Sequence, residues 1–460
     1  MGGLPVLVRS NNEFKQIFGG YLSKEQFGNF RFLAYAVEHY FANGGNCCYI
    51  SRVVPKDAKP WSCTLEGRQL KLTAKSPGVW GNKLRVSFTP LLYDKFDIRI
   101  GYVDTDIAEV YSGVSFNADD PDYIVKKLAK SEMINIEVNS DIEQMATSLP
   151  QAEEAGASQW IRLMSGSDGS IEGIDASVFI GGDQGPGKRT GLNAFLDNWD
   201  VSILAIPGIT DLEVQQALIA HCDNLGSRFA ILDLPQGQNS VADIQANDQR
   251  FDSPNAAIYH PWIQVFDPLM KQNVYAPPSG AVAGIYVRVD NERGVHKPSS
   301  REKVRYCTGL EYQYSDEEQS KLNLNRINLI RPFPGEGALI WGSRTCSSDL
   351  SWKYVNVRRL FIFLEESIKR GTEWVAFQSN NMSMWQEARS VIEDFLIKVW
   401  KSGALVGSSP EEAFYVKAGL GISMTPTDIL DGQFICLIGM ALMRPAEFIT
   451  LRLVYRMVGR

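Results

Sequence analysis

Between residues 57 and 161, apolar residues recur at alternate positions in short runs, at 70–74, 84–88, 96–103, 110–116 and 134–138. A period of two sends alternate side chains to opposite faces, so this stretch predicts a compact β-rich domain, interrupted by one helix near 120–130. Turn residues separate the runs, among them S-P-G-x-W-G-N at 76–82. Upstream the period lengthens. After a short strand at 5–8, Ser10, Asn11 and Glu13 open a helix with Phe14, Ile17 and Phe18 inside and Gly19-Gly20 as its stop. A second helix carries Leu33, Tyr35, Val37, Tyr40 and Phe41 ahead of Gly44-Gly45, and 47–54 returns as a strand.

Downstream, the Gly/Ser/Asp-rich stretch 165–187 reads as a flexible linker or loop. A continuous apolar run at 201–206, a helix through 212–222 and a second run at 229–234 then predict a parallel α/β unit. Pro277-Pro278-Ser279-Gly280 opens a helix of small residues. The stretch 327–377 organises the remainder: a strand-like run, two prolines and two glycines, a second apolar run at 338–341, then a long helix. Val357, Leu360, Phe361, Leu364 and Ile368 form its apolar face, and Arg358, Arg359, Glu365, Glu366, Lys369 and Arg370 its polar one, with Gly371 placed to end it. Another helix, apolar at Trp385, Ala388, Ile392, Phe395 and Val399, is capped by Asn381 or Ser383, and a last strand runs over 448–455. The predicted blocks are therefore 1–56, a β-rich domain at 57–164, a linker at 165–188, an α/β domain at 189–325, an α+β domain at 326–443 and a terminal strand segment at 444–460.

Composition narrows the function. A length of 460 residues calls for several cores, and 44% hydrophobic with 22% charged residues is ordinary for globular chains. A net charge of −7 argues against a general nucleic-acid binder, whose affinity comes from neutralised phosphates. The charge is uneven: from Arg331 onward 15 Lys plus Arg stand against 13 Asp plus Glu, leaving +2 there and −9 in the remainder. Seven scattered cysteines without a C-x-x-C pair read as free thiols, and four histidines give no zinc spacing. The longest apolar run, 434–443, is far short of the roughly 18 residues that span a bilayer. A soluble chain made in the cytoplasm without a signal peptide, with no cofactor and no direct membrane insertion, is the expectation.

Four stretches imitate catalytic or metal-binding motifs. Residues 182–189, G-D-Q-G-P-G-K-R, are one residue from a phosphate-binding loop, but Arg189 stands where Ser or Thr would hold magnesium and Pro186 removes an amide from the cradle. Ser279 sits near a helix start without G-x-S-x-G or a convincing Asp and His. His260 lies inside an apolar run, and Asp119-Asp120 suits a helix amino terminus better than a metal. None makes a catalytic kit. The end of the chain is more telling: Arg444-Pro445-Ala446-Glu447 breaks one strand, and Ile449, Leu451, Leu453 and Tyr455 then alternate with polar positions. A terminal strand set off by a proline is free to add to a neighbour's sheet edge.

The ordered words R-x-F-P-G, W-G-x-R-T and W-x-Y-V-N-V-R-R-L of the stretch 327–377 resemble the C-terminal domain of contractile tail sheath proteins, the sheaths of myophage tails, R-type tailocins and extracellular contractile injection systems. So do C-Y-x-x-R-V after N-G-G, S-P-G-x-W-G-N, R-T-G-L, P-W-I-x-V, P-P-S-G-x-V-A-G, P-E-E-A-F and R-P-A-E-F. The resemblance implies a central subtilisin-like α/β domain without a catalytic triad. It also implies a structural, non-enzymatic subunit that stacks as hexameric rings around an inner tube and contracts to drive the tube through a membrane. Its partners would be other copies, the tube protein, and baseplate and terminal cap proteins. It assigns Phe448, Ile449, Thr450, Leu451, Arg452 and Leu453 to an inter-subunit arm and suggests Pro410, Glu411 and Glu412 for contact with the tube. The P-G-V-Y-x-E-E arm with which the family usually begins has no counterpart in residues 1–4. A non-contracting collar or baseplate homologue, and a subtilisin-like hydrolase that would need Ser279, are the competing readings.

Overall fold

The computed structural model describes residues 4–65, 70–93, 95–103, 108–138, 160–162, 165–248, 251–443 and 448–456. They form two compact units, residues 1–6 with 49–199 and residues 7–48 with 200–460.

The first unit is the expected β-rich block. Strands β1 (Pro60–Leu65), β2 (Leu70–Pro77), β3 (Leu84–Pro90), β4 (Lys95–Tyr102), β5 (Ala108–Ser115), β6 (Ile134–Val138) and β7 (Trp160–Arg162) make two antiparallel sheets, ordered β1-β2-β6 and β5-β4-β3-β7. The alternation in β2 is the sequence pattern made physical: Leu70, Leu72 and Ala74 are buried while Lys71 and Thr73 are not. They share a core with Trp61, Val86, Ile98 and Phe116.

Residues 165–187, expected as a flexible linker or loop, form a loop hydrogen-bonded to this unit. The Asn82 side chain accepts hydrogen bonds from the amides of Ser165 and Gly166 at 3.1 and 2.9 Å and donates to the Gly166 carbonyl. Lys59 and Ser167 exchange a pair of backbone bonds, Asp57 receives the Ser170 amide, and Lys56 pairs with Asp175. The Gly/Ser/Asp composition reflects tight turns whose polar groups bond locally.

In the second unit, β8 (Ile203–Ala205), β9 (Phe229–Asp233), β10 (Ala256–His260), β14 (Ile327–Phe333) and β15 (Gly337–Trp341) form one sheet in that order. The first four are parallel and β15 returns antiparallel on β14. Strands β9 and β10 are buried along their whole length, which is why they read as unbroken apolar runs. Between β10 and β14 come the small strands β11 (Ile263–Asp267), β12 (Gln272–Ala276) and β13 (Gly309–Leu310). The helices of this unit include α1 (Asn11–Phe18), α2 (Leu33–Ala42), α3 (Leu212–Leu225), α4 (Ser279–Arg293) and α5 (Asp316–Leu324). Helices α2 and α4 pack closely because α4 carries glycines: a Cβ at Gly280 or Gly284 would lie 2.4 or 2.3 Å from the carbonyl oxygens of Ala36 and Tyr40.

The boundary expected at 326 moves. β14 pairs Ile327 with Ile258 of β10, so it and its hairpin partner β15 complete the central sheet. Apolar period alone cannot say which sheet a strand joins. Beyond them lie α6 (Val355–Gly371), α7 (Met382–Lys401), the single turn α8 (Pro410–Ala413), and an antiparallel sheet β16 (Phe414–Ala418), β17 (Gln433–Ala441), β18 (Phe448–Arg456). Leu360, Leu364 and Ile368 of α6 meet Ala388, Ile392 and Leu396 of α7 and Phe434, Cys436 and Ile438 of β17 in one core.

Candidate assembly surface

The terminal strand is laid on its own chain. β18 pairs antiparallel with β17 through nine residue pairs, from Phe448 on Ala441 to Arg456 on Gln433. Among the described residues it is an edge strand of this sheet. Phe448, Ile449, Thr450, Leu451, Arg452 and Leu453, the residues expected to form an arm, all lie in this ladder, opposite Ala441 to Cys436. The proline-containing break at 444–447 lies outside the described residues.

The P-E-E-A-F turn is built from the inside out. Ala413 and Phe414 are buried beneath it, and Trp400 Nε1 donates to the Gly407 carbonyl at 2.9 Å. Gly407 takes a φ of 143°, and a Cβ there would come within 2.8 Å of the Ala413 amide, so the approach needs glycine. Pro410 supplies the first helical residue, where its missing N–H costs nothing. Glu411 and Glu412 are left exposed. Glu412 accepts the Ser408 amide at 2.7 Å, and the Ser409 hydroxyl holds the Glu411 carboxyl below its usual range.

The catalytic imitations resolve into structure. Ser279 is fully buried; its Oγ donates to Asp233 Oδ2 at 2.6 Å and its amide to Oδ1 at 3.0 Å, while Gly208 N donates to Oδ2. Asp233, at the end of β9, thus caps α4 from 46 residues upstream. No local pattern points to this partner, because only the fold brings the two residues together. Burial pushes the Asp233 carboxyl up to about 6 against these hydrogen bonds. His260 is fully buried and bonded to the Tyr314 hydroxyl at 2.7 Å, and desolvation pushes its pKa down to about 3. A buried serine has no access to a substrate. In the phosphate-loop imitation, Arg189 bonds to Asp183 at 2.8 Å and to Asp197, and the amides of Gly182 and Gly187 are taken by Thr190 Oγ1 and Asp197. These donors are taken by neighbouring residues rather than left free for a phosphate.

Of the two readings open for Arg358 and Arg359 on the polar side of α6, core packing and a solvated face, the structure has core packing. Arg358 is buried, donating to Asn255 Oδ1 at 2.7 Å beneath the rings of Trp352 and Phe361. Arg359 grips Asp290 with two bonds of 3.0 and 2.6 Å over the ring of Tyr286. Their planar cations find acceptors and aromatic faces where helix periodicity predicts water. Among the described residues no group of three His, Cys, Asp or Glu could hold a metal ion, and no helix is long and apolar enough to cross a membrane.

This arrangement can be set beside known proteins. The phage tail sheath protein central domain matches residues 183–346, and the phage tail sheath C-terminal domain matches residues 347–456. The chain belongs to the contractile tail sheath family. The junction of the two sheath domains falls after β15, in agreement with the sheet pairing. A prophage major tail sheath protein of Pseudomonas aeruginosa is 27% identical over 50% of this sheath chain and 62% of its own length. The tail sheath protein of Escherichia phage P2 is 27% identical over 43% and 52% respectively. The sheath chain therefore spans only about half to three-fifths of these curated relatives. Among solved structures, a chain of the anti-feeding prophage baseplate in its contracted state is 30% identical, with a TM-score of 0.50, over 56% of this chain and 74% of that one. The sheath tail protein of Listeria innocua shares the fold over the whole chain and 92% of its own, with a TM-score of 0.67 at 11% identity.

Proposed function

We propose that this chain is a polymerising sheath subunit, stacking as hexameric rings in a helical array around an inner tube and shortening to drive that tube through a target membrane. The observation that carries the reading is the unbroken tiling of residues 183–456 by the two sheath domains. A fold likeness to an extracellular contractile injection system sheath complex in its contracted state, with a TM-score of 0.57 over 98% of the chain, supports it. Baseplate and terminal cap proteins would bind the ends of the array. A head-to-tail contact that does not close on itself is what builds such a cylinder. The force comes from repacking between subunits, so the chain needs no cofactor.

In this reading β18 is the connecting arm. The ladder it forms with β17 is made almost wholly of backbone bonds, each worth about 1 kcal/mol net, so the same strand could trade its own β17 for an equivalent edge in a neighbour at little cost. Truncation after Met443 tests this. The shortened chain is expected to stay folded, as read by circular dichroism, and to leave no sedimentable polymer; cylinders of ordinary length from the truncated chain would contradict the arm. The second reading, a collar or baseplate-type homologue, draws on the 30% identity to a chain of a baseplate structure. It predicts single rings without cylinders.

A further inference from the structure

Beyond β15 the central sheet has one more row. The Arg301 amide donates to the Ile340 carbonyl at 2.7 Å, Ile340 N to Glu302 O, and Val304 N to Ala338 O, with Lys303 bridged to Leu339. Residues 301–305 therefore form a short segment bridged to the sheet's edge at Lys303 and flanked by turns. Val304 points into the core and is 2% exposed, and Glu302 turns inward to Arg288 and Arg293. Arg301, Lys303 and Arg305 are all exposed, with the Arg301 guanidinium over the ring of Trp341. Lys297 is exposed just ahead of them. Arg301 and Tyr306 both hold left-handed backbone, with φ of 64° and 59°, so the row is bent away at both ends. Its one nearby anion is Glu336, 4.0 Å from Arg301 with both side chains more than half exposed. Among the described residues no carboxylate lies in ion-pair range of Lys297, Lys303 or Arg305.

The same unit carries the reverse feature. Glu411 and Glu412 stand exposed on a rigid turn, and among the described residues no cation is in ion-pair range of either. Neither feature is satisfied by the other within one chain. We propose that the cationic row Lys297, Arg301, Lys303 and Arg305 docks the Glu411–Glu412 turn of a second copy. This rests on the reading of the chain as a self-assembling subunit and assigns one of its contacts. A head-to-tail interface joins two different patches of the same molecule, and complementary charge fixes which patches meet and in what register. Sequence alone suggested the tube as the partner of this turn; the cationic row offers it a counterpart on the chain itself. Cations on an exposed sheet edge also discourage edge-to-edge aggregation, which is the bland explanation to be tested against.

The test is a charge exchange in the full chain, with polymer measured by sedimentation and electron microscopy and the fold of each variant checked by its thermal midpoint. R301E/K303E/R305E and E411K/E412K are each expected to lower the amount of polymer by about tenfold, and their combination to restore it to within about twofold of the parent. Failure of the combination to restore polymer overturns the proposal. So does a row variant that polymerises like the parent, which would leave only protection of the edge. If E411K/E412K instead loses binding to the inner tube protein and the combination does not recover it, the turn belongs to the tube. Absence of polymer from the parent chain itself would remove the self-assembly reading, and this contact with it, a result distinct from any variant-specific loss.

Discussion

Arg359 and Asp290 form a nearly buried, two-pronged ion pair, with side chains 12% and 22% exposed. Removing one partner strands the other, so Asp290→Ala is expected to cost about 3–5 kcal/mol in denaturant unfolding, while exchanging both for apolar residues of similar volume costs far less. Equal losses from the single and the paired change would contradict this. Asp233 gives a prediction in pH. Its folded pKa, about 6, lies above the roughly 3.9 of an unfolded chain, so the native state holds this proton more tightly. Its contribution to stability is therefore fully present below about pH 4 and is lost as pH rises through 6. His260 acts oppositely, since its lowered pKa makes acid destabilising, so the comparison must be a difference between variant and parent. The gap in unfolding free energy between Asp233→Asn and the parent is expected to change between about pH 4 and 6 and to be flat above 7. A gap that does not vary with pH would show that folding leaves the Asp233 pKa unshifted. Neither residue's role could be read from the sequence, because each partner is distant in the chain and reached only through the fold.

At the scale of elements, the helices and the first unit's strands were legible because burial follows period. The apolar positions of α6 that recur at helical spacing are the ones in its core, and Leu364 among them is fully buried. Leu364→Ala is expected to cost about 2–5 kcal/mol by denaturant unfolding, with the spread set by how far the core closes over the gap. A cost below 1 kcal/mol would mean that the contact with α7 and β17 is not formed in solution. Asn381, one of two candidate caps for α7, is the one used: its side chain accepts the Met384 amide at 3.0 Å. What period could not supply was partnership. β14 and β15 look as much like the start of the C-terminal block as the end of the central sheet, and only the pairing of Ile327 with Ile258 decides. The stretch 165–187 has a linker's composition, yet its small polar residues are spent on Asn82, Lys59 and Asp57.

At the scale of the whole molecule, the described residues present an edge strand β18, exposed cations along 301–305 and exposed acids at 411–412. A chain whose complementary features sit apart on one molecule is suited to joining copies end on end. Raising salt from about 0.05 to 0.5 M shortens the screening length severalfold and should reduce the rate of polymer growth, a rate followed by light scattering. Salt-independent growth would assign assembly to apolar and backbone contacts alone. The most direct measurement is negative-stain electron microscopy of the chain purified together with its inner tube protein. The account predicts hollow cylinders with regular transverse striations, built from stacked rings. Dispersed particles, or rings that never stack, would contradict the claim that this chain polymerises as a sheath.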